Sequence, residues 1–305
     1  MIKRKTKHLL LKLLSLFSVV RGYNIFVIVI AQYLASIYIF APEKRALAVL
    51  MDWRLFLIVF SSTLAIAGGY IINNFYDSEK DLINKPSKSF LDRLVSQGFK
   101  LKVYFALNFS AVLLSFVVSI HAALFFSAFI FLLWFYSHKL KKYPIIGNIV
   151  ASFLAVFPFF GILMYFKNFY TAIFVHGILV VLLILIREMV KDLSTMAGDM
   201  AVQYHTLPVI YGTAISKRVI YLLSALTVVP IYLLTSVYDV GYMDVYLYAA
   251  LMVLLLINLK LWKSDSIAAY SRLHLLLKIL ILVGVFSILM IDPNIIIHGA
   301  RLFKL

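Results

Sequence analysis

The 305-residue chain contains no cysteine, which excludes disulfide staples and thiolate metal sites alike. Charge is scarce as well. Asp, Glu, Lys and Arg together make up 14% of the residues, where soluble domains carry roughly a quarter. Acidic charge is the scarcest of all, with 13 Asp and Glu against 29 Lys and Arg, for a formal net charge of +16. Hydrophobic residues fill 64% of the chain, too many for so little polar surface to cover. These shortages exclude a soluble globular domain and leave lipid as the solvent for most side chains.

What the chain does contain is a succession of long apolar runs, near 23–41, 53–75, 101–119, 121–137, 145–166, 168–190, 217–238, 242–262 and 271–291. About 20 such residues are needed to cross about 30 Å of hydrocarbon as a helix. The expected fold is therefore an all-α integral membrane protein of about nine transmembrane helices, with 1–305 as a single polytopic domain. The basic charges alternate in step with the runs. They crowd the first 21 residues and the segments 76–102, 139–142, 187–218 and 260–272, whereas the other loops hold only Lys44, Arg45, Arg54 and Lys167, and the C-terminus Arg301 and Lys304. That asymmetry places the N-terminus in the cytoplasm and explains the net charge without nucleic acid. No cleavage site follows the basic start, so residues 1–22 are expected to form a cytoplasmic amphipathic segment on the membrane surface. No organelle-targeting segment is apparent, which points to a prokaryotic cytoplasmic membrane.

The few acids are not spread evenly. Seven of them lie in two windows, 77–92 and 188–199, each at the cytoplasmic end of an even-numbered run, in the polar segments 76–100 and 191–216 that are expected to form loops. Carboxylates at such depth are expensive and tend to mark a polar site. Asn73, Asp77 and Asp81 are spaced by four, so on a helix they share one face. Their oxygens suit a hard cation such as Mg²⁺, which is typically held by one or two carboxylates together with substrate phosphates. A solvated helix end is the alternative. In the second window Asp192 and Asp199 share a face if the helix continues past Gly198, and Arg187 and Lys191 are placed to contact phosphate oxygens. A ladder of ion pairs, with Glu188 among them, is the alternative there. The seven histidines show no ligand spacing.

The stretch GGYIINNFYDSEKDLINKPSK resembles the first signature of the UbiA superfamily of intramembrane prenyltransferases, Asn-Asp-x2-Asp-x3-Asp. REMVKDLSTMAGDMAVQYHTLP resembles the second, Lys-Asp-x2-Asp-x3-Asp followed by Thr-Leu-Pro. YSHKLKKYPIIGN and Arg21-x2-Asn24 are similar to two further family segments. The resemblance spans essentially the whole chain and implies a nine-helix bundle around a central cavity. It also implies Mg²⁺-dependent transfer of a prenyl group from an allylic prenyl diphosphate to a lipophilic acceptor. Asn73, Asp77, Asp81, Asp192 and Asp199 would form the catalytic set, with the four aspartates as metal ligands. Lys191 and Arg187, then Arg21, Lys85, Lys88 and Lys141, would contact diphosphate or acceptor, and Asn24 and Tyr136 would line the cavity. Asp81–Pro86 and Arg187–Asp192 most resemble the branch that alkylates geranylgeranylglyceryl phosphate to make ether lipids. A quinone-precursor ring, a chlorophyll-type acceptor, or a non-catalytic or transport protein with a degenerate metal site stay open. Two departures stand out. Asn74 replaces an Asp that points off the metal face, and Thr195 replaces the middle Asp of the second motif.

Overall fold

The computed structural model describes residues 4–297, so Lys3, His298, Arg301 and Lys304 lie outside the described residues. The described residues form helices α1 (Arg4–Val19), α2 (Gly22–Ala35), α3 (Ala46–Leu50), α4 (Trp53–Tyr76), α5 (Ser78–Asn84), α6 (Pro86–Asp92), α7 (Gln97–Val118), α8 (Ile120–His138), α9 (Ile146–Phe166), α10 (Thr171–Ala201), α11 (Leu207–Leu226), α12 (Val228–Ser236), α13 (Met243–Trp262), α14 (Ile267–Ser287) and α15 (Asn294–Ile297). Nine stretches among them are long and apolar enough to cross a membrane; α11 and α12 together make the seventh.

Local chemistry starts these helices where they start. Asp52 accepts hydrogen bonds from the backbone N–H groups of Arg54 (3.0 Å) and Leu55 (3.3 Å) and so caps α4. Ser96, Ser119 and Ser266 do the same for α7, α8 and α14, each satisfying a donor that would otherwise be orphaned. Lipid-facing sides follow from the 3.6-residue period: on α7, Phe105, Phe109, Leu113 and Phe116 are exposed while Ala111 and Ser115 are fully buried. Inside the bundle, Gln32 of α2 donates to Ser62 of α4 at 2.9 Å, a buried polar clasp of the kind that joins helices in lipid.

The core has two main halves. Leu55, Ile58, Phe126, Phe129 and Ile162 pack the N-terminal half; Leu183, Ile186, Leu193, Ile220, Leu247 and Leu277 pack the C-terminal half. The 31-residue α10 packs against α5, α9, α11, α12 and α14 and so stands at the centre.

Two expectations need correction. The sixth run does not stop near 190, and 191–216 is not a loop: α10 continues to Ala201, and α11 begins at Leu207, leaving only five connecting residues, 202–206. The polar residues there ride on helix because neighbouring elements, rather than water, satisfy them. The segment 76–100 is likewise largely helical, as α5 and α6, which fold back over the ends of α10 and α1.

Candidate active site

α4 ends at Tyr76, and Asp77 caps it with φ −92° and ψ 6° before α5 begins. The three spaced residues therefore straddle a joint and do not line one straight helix. The helical register nonetheless survives it, because the Asp81 N–H still donates to the Asp77 carbonyl at 2.8 Å. Asn73 Nδ2 donates to Asp77 Oδ2 (2.9 Å), while Lys141 Nζ donates to Asp77 Oδ1 (2.8 Å) and Asn73 Oδ1 (3.3 Å). The Tyr204 hydroxyl donates to the same Asp77 Oδ1 at 3.4 Å. Burial alone would raise the Asp77 pKa, but Lys141 and Lys80 outweigh it and hold the carboxyl below its usual range. Burial, then the Asp77 charge, pushes the Tyr204 hydroxyl up, so it remains a donor.

On α10 the second set rises through three turns. Glu188 is buried and pairs with both Arg187 (2.6 Å) and Lys191. Asp192 Oδ2 accepts from Asn148 Nδ2 at 2.7 Å. Thr195 Oγ1 donates to Asp199 Oδ2 at 3.2 Å, and Asp199 pairs with Lys80 from α5. Gly198 does not break the helix. It lets Asn84, at the end of α5, lie flat on α10: Asn84 Oδ1 accepts from the Gly198 N–H (3.2 Å) and its Nδ2 donates to the Thr195 carbonyl (3.3 Å). A Cβ at 198 would fall 2.2 Å from the Asn84 amide nitrogen, far inside contact distance. Asn148 is set by a tight turn in which the β-branched Ile145 takes φ 60° and ψ −54°, a strained conformation of the sort stored at functional sites.

Tyr204 lies at the centre of these contacts. Its ring is within 5.2 Å of Lys80, 5.8 Å of Lys141 and 5.7 Å of Lys142. Lys80 pairs with Asp199 while the Tyr204 hydroxyl holds Asp77, so the two motifs become one charged patch. Tyr136 lies within electrostatic reach of Glu188, Lys191, Asp192 and Asp77, and Lys85 within reach of Arg21, Asp81 and Lys191. Beside Tyr76 a cleft of about 470 Å³ opens between α4, α7 and α8, lined by Phe75, Tyr104, Phe131 and Trp134.

Other expected residues make contacts of their own. Arg21 stacks on Tyr70, 5.2 Å from the ring centroid. Asn24 is anchored through its backbone, whose N–H donates to the Arg21 carbonyl. Lys88 belongs to a different network. It pairs with Asp92 (3.5 Å), which also accepts from Ser18 and Asn74, and Asn74 in turn accepts from the buried Lys100. The spacing did not single out Lys80, Asn84, Asn148 or Tyr204. For Asn148 and Tyr204 the only signal was their place in the segments YSHKLKKYPIIGN and MAVQYHTLP.

The donor chemistry fits a hard cation, since every candidate ligand is a carboxylate or amide oxygen. Among the described residues, however, no three Asp, Glu or His groups converge tightly enough to cage an ion unaided. Asp77, Asp81 and Asp192 therefore fit Mg²⁺ only as an ion that shares its coordination with diphosphate and water.

The whole chain can be set beside known proteins. It is 29% identical over 241 residues to the digeranylgeranylglyceryl phosphate synthase of Thermococcus sibiricus, covering 77% of this chain and 83% of the relative. It is 32% identical over 257 residues to the synthase of that name from Thermococcus gammatolerans, covering 81% and 86%. In fold it superposes with a TM-score of 0.70 and 23% identity on a structure from work on digeranylgeranylglyceryl phosphate synthase in membranes, over 92% of this chain and 98% of the other. An Archaeoglobus fulgidus UbiA homolog bound to GPP and Mg²⁺ superposes at 0.67 and 15%, over 90% and 99%. At those structural identities the likeness speaks for the fold alone. The two acidic motifs, the nine spans and a match of residues 15–289 to the family's sequence pattern agree: the chain is a multi-pass membrane protein that belongs to the UbiA prenyltransferase family.

Proposed function

We propose that this membrane prenyltransferase transfers a geranylgeranyl group from its diphosphate to the glycerol hydroxyl of geranylgeranylglyceryl phosphate, with Mg²⁺, in ether-lipid synthesis. The observation that carries the reading is the joining of the two motifs through Tyr204 and Lys80, which gathers carboxylates and ammonium groups into one patch. The acceptor is supported by the relatives, which are named digeranylgeranylglyceryl phosphate synthases. The excess of Lys and Arg at the site end supports a cytoplasmic position for the site and the N-terminus, in a prokaryotic cytoplasmic membrane.

In this reaction the C1–O bond of the allylic diphosphate breaks and pyrophosphate leaves with the electron pair. The acceptor oxygen forms the new C–O bond, and its proton passes to the departing diphosphate or to water. Lys141, Lys191 and Arg187 stabilise the negative charge that grows on the leaving oxygens. Bound Mg²⁺ would supply Lewis-acid charge to the same oxygens, and Asp77, Asp81 and Asp192 would hold it. Lys85, within electrostatic reach of Arg21, Asp81 and Lys191, and Arg21 add positive charge that attracts a second phosphate, that of the acceptor. Tyr136, within electrostatic reach of Asp192 and Asp77, lines the cavity, and Asn73 and Asn148 fix those two carboxylates.

The test uses purified protein, labelled geranylgeranyl diphosphate and a mixture of geranylgeranylglyceryl phosphate, a quinone-ring precursor and a chlorophyllide. The expected result is Mg²⁺-dependent pyrophosphate release, abolished by a chelator, with the label in the glycerol ether by mass spectrometry. Label in a ring product instead would overturn the acceptor; no release with any acceptor would overturn the transfer.

A further inference from the structure

Thr195 removes a carboxylate from the second motif, and the first motif supplies a cation that answers the loss. Asp199 is fully buried. Thr195 Oγ1 donates to its Oδ2 at 3.2 Å, while Asp199 Oδ1 has no hydrogen-bond partner among the described residues and is met by Lys80 Nζ as an ion pair alone. Asp77 is also held by a lysine, with Lys141 and the Tyr204 hydroxyl on Oδ1 and Asn73 on Oδ2, but it is less buried than Asp199, and Asp192 and Asp81 have fewer partners. Asn148 holds only one oxygen of Asp192. Asp77 and Asp81 are partly exposed, and no ion pair of Asp81 occurs among the described residues. Lys80 itself is nearly enclosed, with 14% of its side chain exposed, and it rests 5.2 Å from the Tyr204 ring centroid. Its charge acts on Asp77 and Asp192 as well as on Asp199. A tethered ammonium thus stands between the motifs, on the carboxylate that a metal at the second motif would need.

Charge bookkeeping supports the exchange. An Asp at 195 with a divalent ion contributes a net charge of +1, and Thr195 with the Lys80 ammonium contributes the same. An ammonium is a compact point charge with three donors, so it can keep Asp199 and still reach phosphate oxygens.

We propose that Lys80 takes the place of a metal ion at the second motif. Asp199 is then the anchor of that lysine and not a metal ligand, and the site binds a single divalent cation per diphosphate, on the side of Asp77, Asp81 and Asp192. This rests on the metal-dependent transfer reading above.

The experiment counts metal directly. The full chain in detergent is titrated with Mn²⁺ in the presence of inorganic pyrophosphate, and bound Mn²⁺ is read by electron paramagnetic resonance. Wild type is expected to saturate at one Mn²⁺ per chain, with no spin coupling between ions. The double variant Lys80→Met, Thr195→Asp is expected to bind two, with coupled spectra, and Lys80→Arg to keep one. Two coupled ions in the wild type would overturn the proposal, and so would a double variant that still binds only one. Wild type binding no Mn²⁺ with pyrophosphate would bring down the metal-dependent reading itself, and this proposal with it. Should the double variant not fold, the wild-type count and Lys80→Arg still decide.

Discussion

Asp52 and Asp77 stand at the two ends of the same helix, α4. Asp52 sits at the N-terminus, where the backbone N–H groups and the positive end of the helix dipole welcome a carboxylate. It caps Arg54 and Leu55 and accepts from the Tyr165 hydroxyl at 2.6 Å. Asp77 sits at the C-terminus of α4 and directly before α5, where opposed ends of two helix dipoles meet and its side chain makes no cap bond, and it is held there by Lys141, Asn73 and Tyr204. The first aspartate is explained by the helix it starts. The second is not explained by the helix it ends, and several partners are recruited to keep it. A charge that makes no cap bond and is held by side chains from other elements points to chemistry; a charge that caps its own helix points to folding.

Substitutions at the two ends separate these roles. Asp77→Ala is expected to lower pyrophosphate release by about 10²–10³ or more, the scale of losing an electrostatic element of a reaction centre; near-normal turnover would erase the contrast. Lys141→Met removes the ammonium that bonds Asp77 and is expected to cost on the order of 10² in release rate, with a weakened apparent affinity for the prenyl diphosphate in the same assay. Gly198→Ala drives a methyl into Asn84. A loss of about 1–3 kcal/mol is expected, seen as a lower melting temperature in detergent, and α5 should become more open to proteolysis. Asp52→Ala is expected to cost only about 0.5–2 kcal/mol of stability and to leave the transfer rate unchanged. A rate defect there would show that the far end of α4 reaches the chemistry.

The spans were legible because length and apolarity are local quantities; a run of twenty lipid-compatible residues needs no partner to be recognised. The spacing of Asn73, Asp77 and Asp81 was legible for the same reason, although the joint at Asp77 was not. Reading failed where polar residues are satisfied by a distant element. Residues 191–201 look like loop because Lys191, Asp192, Ser194 and Asp199 are hydrophilic, yet Asn148 bonds Asp192, Lys80 pairs with Asp199, Lys191 and Ser194 find partners on α10 itself, and the helix runs on. Gly198 looks like a helix breaker until Asn84 is laid on it. Lys88 looks like a phosphate ligand by position, but Asp92 and the buried Lys100 network claim that part of the chain. Apart from the i,i+4 pair Lys88–Asp92, none of these partnerships has a sequence period, because each is made by folding.

The length of α10 has a bearing on how substrates are handled. Thirty-one residues at about 1.5 Å each span about 46 Å, against roughly 30 Å of hydrocarbon. At the end that bears the second motif the surplus covers about residues 191–201, so Lys191, Asp192 and Asp199 lie on the stretch of α10 that hydrocarbon does not need. An amphiphile reaching it keeps its tails among other tails and its phosphate among phosphates. The reaction then takes place along a boundary between two phases, and neither partner has to be pulled out of the one it prefers.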